Sequence, residues 1–151
     1  MSPISTLQFR RATEADIPAM SAIRLSVREN VLSDPSRVTL AMYRDYLEQD
    51  GRGWVCEDQD QIIGFAYAAR KDHSIWALFV APEHEAKGAG KQLLKLACEW
   101  LFSQGALQIQ LDTKAGTRAD RFYATQKWQR TATADSLNVK FTLAKTQDEN
   151  R

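Results

Sequence analysis

Between residues 75 and 81 the chain reads IWALFVA, an unbroken apolar run stopped by Pro82, with the length of a strand buried on both faces. Shortly afterwards Leu93, Leu94, Ala97, Trp100 and Leu101 recur at helical spacing and predict an amphipathic helix with one face towards a core. A loop holding Gly88 and Gly90, followed at once by Lys91, joins the two. A strand, a glycine-bearing loop and the first turn of a helix make an anion cradle. The amides of that turn have no partner inside the helix, and glycine lets a ligand approach the backbone.

The remaining pattern sorts into short elements around this unit. Residues 7–11 (LQFRR) alternate as a short strand. Thr13 and Asp16 both suit the N-cap of a helix whose stripe is Ile17, Met20, Ile23 and Val27, ending near Asn30. Pro18, tolerated only in a first turn, favours the later start. Ser33, Asp34, Pro35 and Ser36 break the chain, residues 38–47 predict a second short helix, and Gly51 and Gly53 end it. Residues 54–57 and 62–69 predict a hairpin around the polar turn 58–61, and a turn at 71–73 leads into the apolar strand. Gly105 stops the long helix and residues 107–112 (LQIQLD) alternate as a strand, so the helix is the crossover of a right-handed parallel β-α-β unit. Residues 119–127 predict a short helix carrying Phe122 and Tyr123, residues 130–134 and 139–144 a closing hairpin, and residues 145–151 a frayed polar tail.

Composition narrows the class without naming a function. The 151 residues suit one domain over 1–151 with a real hydrophobic core. A net charge of +1 gives no electrostatic reason to expect nucleic acid or an anionic membrane as a partner. No apolar run approaches the roughly 18 residues of a membrane span and the N-terminus lacks a signal-peptide core, so a soluble cytoplasmic protein is expected. Cys56 and Cys98, His73 and His84 have no metal-ligand spacing; neither a metal nor a disulfide is predicted.

The glycine loop fails two nucleotide signatures. A mononucleotide P-loop needs Gly where Glu85 stands and Ser or Thr where Gln92 stands, and a dinucleotide fingerprint needs Gly where Leu93 stands. A nucleotide-binding phosphotransferase is thereby disfavoured, the more so for want of an obvious Mg²⁺-ligand motif.

The order of elements and two local motifs carry a resemblance to a known family. From Leu7 to Ala144 the chain resembles the GNAT acetyltransferases. The segment VAPEHEAKGAGK, residues 80–91, is similar to their pyrophosphate-binding signature of Gln or Arg, two variable residues, Gly, one variable residue, then Gly or Ala. Gly88 and Gly90 match it; Glu85 takes the Gln or Arg position and is expected to turn outward, offset by Lys87 and Lys91. Residues 118–128 (RADRFYATQKW) resemble the family's later helix and turn through Ala119, Phe122, Tyr123 and Trp128, with Lys127 in place of the usual Gly. The Asn that often precedes that helix is Gly116 here, with the hydroxyl of Thr117 beside it.

The resemblance implies an α/β, three-layer α+β fold with a mixed central sheet of six to seven strands flanked by about four helices. It also implies acetyl-CoA as the acyl donor to a primary amine by direct attack. Leu78, Phe79 and Val80 are implied to hold the pantetheine and thioester where two parallel strands splay, and Ala86, Lys87, Gly88, Ala89, Gly90 and Lys91 the pyrophosphate. Thr117 and Phe122 complete the cofactor contacts. Tyr123 is the implied proton donor to the departing thiol. Glu29 is the first choice as general base or anchor for a cationic substrate, and Trp76 as a wall of the acceptor pocket. Ser74 stands where some relatives carry a strand Glu, which suits a base working through water. Residues 30–37 and 135–138 are expected to frame an acceptor that is an amine-bearing small molecule, a peptide or a protein. Dimerisation is common in the family, although no interface is legible. The alternative reading is a regulatory module that holds acyl-CoA without turnover.

Overall fold

A computed structural model of the chain describes residues 7–26, 45, 47, 50–85, 87–133 and 137–145. Seven strands form one mixed sheet: β1 (Leu7–Arg11), β2 (Gly51–Asp58), β3 (Gln61–Ala69), β4 (Ser74–Val80), β5 (Gln108–Lys114), β6 (Gln129–Ala132) and β7 (Asn138–Ala144). Their spatial order is β1-β2-β3-β4-β5-β7-β6, so β7 enters between β5 and β6. Every pairing is antiparallel except β4 with β5.

Among the described residues three α-helices flank the sheet: α1 (Ile17–Ser26), α2 (Ala89–Ser103) and α3 (Arg118–Thr125). The further helix predicted over residues 38–47 and the tail beyond Lys145 lie almost wholly outside the described residues. Ile17, Met20 and Ile23 of α1 join Val55, Phe65, Tyr67 and Ala77 in the core on one face. On the other, Leu93, Ala97 and Leu101 of α2 and Tyr123 of α3 pack with Cys56, Ile63, Ile109 and Phe141. The sheet is therefore the middle of three layers.

Local chemistry explains the boundaries. Thr13 caps a 3-10 turn (Glu14–Asp16), its amide donating to Asp16 Oδ2 at 2.8 Å, and α1 then starts at Ile17 with Pro18 in its first turn. Asp16 is held below the usual carboxylate range by Arg10, which donates to both its oxygens at 2.8 and 2.9 Å. Strand β2 begins at Gly51, three residues before the predicted Trp54, and β3 approaches so closely there that a Cβ on Gly51 would collide with Ala68 O. The β2-β3 turn places Gln59 and Asp60 at φ 52° and 69°, both positive as a two-residue hairpin of the I′ kind requires. No described helix is long and apolar enough to cross a membrane.

Candidate active site

The site begins with a fault in the sheet. Tyr67 pairs with Ala77 and Ala68 with Ile75, so Trp76 is an extra residue on β4, a β-bulge. The alternation of a regular strand is broken there: Ile75 shares the α2-side core with Leu78, whereas Ala77 and Phe79 face α1. A bulge bends the strand that carries it. Among the described residues strands β4 and β5 pair only at Ser74 and Gln110, with Gln110 N donating to His73 O at 3.0 Å, and no further pairing follows. Ile75 and Ala77 are buried, but Leu78, Phe79 and Val80 are half-buried, as expected where a neighbouring strand has parted. Among the described residues, no strand pairing engages the β5-facing side of β4 past the bulge.

The glycine loop stands at the open end of this seam. Gly88 has φ +89°, and a side chain added to it would meet nothing within 4 Å, so the loop there is open to solvent. Gln92 N donates to Gly88 O at 3.2 Å, the first bond of α2, which leaves the amides of Ala89, Gly90 and Lys91 without helical partners. A methyl on Gly90 would touch Val80 Cγ2 at 3.7 Å and Phe122 Cζ at 3.9 Å. Val80, Gly90 and Phe122, far apart in sequence, thus meet at one point. From Gly88 and Lys91 an open groove of about 800 Å³ runs along α2 past Gln92 and Lys95.

Helix α3 supplies the other wall. Thr117 caps it, accepting from Asp120 N at 3.3 Å while donating its own proton to Lys114 O at 2.7 Å. The hydroxyl offered to the cofactor arm therefore already has a structural duty. Tyr123 is buried, its ring 5.3 to 5.7 Å from those of Phe122, Phe141 and Trp128. Burial pushes its phenol above the ordinary range, with Cys98 adding to the effect, so it stays neutral and protonated at physiological pH.

The charges around the loop are paired in an order that the sequence conceals. Glu85 meets Arg118 Nε at 3.4 Å, and Lys87 instead lies 3.4 Å from Asp58 Oδ2 and 3.0 Å from His84 Nδ1. Arg118 is thus the cation that offsets Glu85. Asp120, buried, accepts from Gly116 N at 2.9 Å and from Arg130 Nε and Nη2, both at 2.9 Å, and its carboxyl falls to about 2. Sequence reading singled out none of Arg118, Asp120 and Arg130; the only signal was an acidic residue in the first turn of a short helix. Ser74 donates to Asp72 Oδ1.

Glu29, Ala86, residues 30–37 and residues 135–136 lie outside the described residues, as does the side chain of Trp76.

Comparison with solved structures confirms the architecture. PaiA N-acetyltransferase from Thermoplasma acidophilum, solved in complex with coenzyme A, superposes with a TM-score of 0.76 at 15% identity, covering 96% of this chain and 100% of that one. The ribosomal-protein-alanine N-acetyltransferase of Brucella melitensis gives 0.73 at 22% identity, covering 91% and 99%. YncA from Salmonella typhimurium, solved with its cofactor acetyl-CoA, gives 0.72 at 18% identity, covering 94% and 95%. No curated protein sequence matches the chain. The model of the Acetyltransferase (GNAT) family matches residues 18–127, and with the parted parallel strands and the glycine loop in place the chain belongs to that family.

Proposed function

We propose that this protein transfers the acetyl group of acetyl-CoA to a primary amine by direct attack. The observation that carries the reading is the single β4-β5 pair at Ser74 and Gln110, which opens a slot straight onto the amides of Ala89, Gly90 and Lys91. Residues Leu78, Phe79 and Val80 would hold the pantetheine arm through their backbone. Gly88, Ala89, Gly90 and Lys91 would hold the pyrophosphate, with Phe122 against the loop and Lys95 one turn further on. The fit rests on the empty space at Gly88 and on the half-buried end of β4.

When bound, acetyl-CoA supplies a thioester carbonyl already activated towards an amine. The chain's part is to hold, orient and move a proton. Backbone amides and the helix start favour the anionic end of the cofactor. Tyr123 Oη keeps its proton at neutral pH and is the candidate source of the proton that the leaving sulfur needs. The amine must arrive neutral, and Glu29 is the candidate base or substrate anchor. An amino group of a small molecule, a peptide or a protein fits this chemistry.

A module that holds acyl-CoA without turnover is the second reading, favoured by the close packing of Tyr123 against Trp128 and Phe141. Calorimetric titration with acetyl-CoA, on the wild type and on Gly88→Trp, tests binding; thiol release over an amine panel tests turnover. Saturable binding lost in the Trp variant, with amine-dependent release, is the expected result. Binding without release across the panel would favour the module, and no binding at all would sink both.

A further inference from the structure

At the other end of α2 from the glycine loop, three arginines gather on the α2 side of the sheet. Arg52, between Gly51 and Gly53 at the start of β2, and Arg70, next after β3, both lie over the ring of Trp100 in the last turns of α2. Their guanidinium carbons are 5.2 and 5.4 Å from its centroid. Trp54 closes edge-on against the same indole, with ring centroids 6.0 Å apart. Arg11, at the end of β1 and paired with Trp54, is the third. Among the described residues its guanidinium makes one long contact, Nη2 to Leu47 O at 3.5 Å.

Arg10, Arg118 and Arg130 each hold a carboxylate, but none of Arg11, Arg52 and Arg70 forms an ion pair among the described residues. Arg52 Nε is buried with no hydrogen-bond partner, the one such side-chain atom among those described. A buried donor left unmade costs about 1–3 kcal/mol. Burial lowers the Arg52 pKa, and its neighbours Arg11 and Arg70 lower it further, a repulsion that an anion would relieve. The C-terminus of α2 offsets only about half an elementary charge of three. Indole stacking holds two of the guanidinium forks in place, and such forks match the oxygens of a phosphoryl group.

We propose that Arg11, Arg52 and Arg70, seated on Trp100, form a binding site for a dianionic phosphoryl group, separate from the glycine loop. Its source is either free phosphate or a small phosphate ester. The placement beside Trp54 and Trp100 provides a direct readout, since a filled site changes the surroundings of both indoles.

The test is titration of the full chain with inorganic phosphate and, separately, glycerol 3-phosphate at constant ionic strength. Tryptophan fluorescence and thermal melting are both followed, in the wild type and in Arg52→Gln, Arg70→Gln and Lys91→Gln. Saturable binding that raises the melting temperature is expected in the wild type and in Lys91→Gln, and about tenfold or more weaker binding in either arginine variant. Arg52→Lys keeps the charge but loses the fork, so it guards against misfolding of the Gln variant and should also bind more weakly. Tighter binding of the ester than of phosphate would identify an ester as the source, and the reverse order free phosphate. The proposal is overturned by a response that never saturates, by affinities unchanged in all arginine variants, or by binding lost in Lys91→Gln alone, which would place the anion at the glycine loop.

Discussion

Glu85 and Arg118 face each other across the open end of the β4-β5 seam, Oε2 to Nε at 3.4 Å, linking the loop after β4 to the first residue of α3. Arg118 is exposed and Glu85 half-buried, and the pair is worth at most about 1 kcal/mol to the fold. Its weight falls on the ligand: the carboxylate stands beside a phosphate cradle and occupies a cation that phosphates would use. Glu85→Gln is expected to tighten coenzyme A binding by about two- to fivefold, and Arg118→Gln to weaken it. Calorimetry at low and at physiological salt checks this, and the gain should shrink with salt. Equal affinities in all three proteins would show that the pair is electrostatically silent.

Tyr123→Phe removes the candidate proton donor from a site whose ring packing the Phe preserves. A loss of about 10²–10³ in kcat with little change in KM is expected. A proton donor works below its pKa, and burial raises that of Tyr123 above the free value of about 10. The rate should therefore show no decline from this group up to about pH 10. A basic limb near neutrality that disappears in Tyr123→Phe would contradict the assignment.

Asp120 ties Gly116 N to Arg130 and so fixes the turn that enters α3. Its folded pKa of about 2 lies below the unfolded 3.8. The stability it contributes is complete above the unfolded value and is lost as pH falls through the folded one. Asp120→Asn should lower unfolding stability at neutral pH by about 1–3 kcal/mol, and the difference from wild type should fade towards pH 2. Denaturant unfolding at neutral and at acid pH measures both.

Lys127 stands where the family resemblance expects Gly and adopts φ +70°. A side chain there costs about 1–2 kcal/mol, while a glycine loses about 0.5–1 kcal/mol of unfolded-chain entropy on ordering. The difference favours Lys127→Gly by about 0.5–1 kcal/mol, to be read from chemical denaturation, and a destabilised variant would mean that Lys127 makes a contact outweighing its backbone strain.

The strand-loop-helix unit was legible because its cues are dense and local: an apolar run, two glycines and a helical stripe within residues 75–101. The hairpin of β2 and β3 and the crossover to β5 followed from the same periodicities. The bulge at Trp76 was not legible, since one extra residue inside a wholly apolar run leaves no trace in the pattern. Nor was the entry of β7 between β5 and β6, because a hairpin signal says which strands pair and not where the pair docks. Within the site, Gly88, Gly90 and Phe122 came from motif positions, whereas Arg118, Asp120 and the arginines around Trp100 depend on partners drawn together only by tertiary folding. Glu85 stands out in the sequence by its charge, but its partner Arg118 comes from across the seam and not from the lysines nearest in sequence.

With β4 and β5 fastened at a single pair among the described residues, the sheet divides into two hydrogen-bonded plates, one of four strands and one of three. Helix α2, which packs against β2, β3 and β4 on one plate and β5 on the other, is the splint between them. The gap that would admit a ligand is therefore set by side-chain packing under one helix and not by the hydrogen-bond spacing that fixes every other strand separation in the sheet.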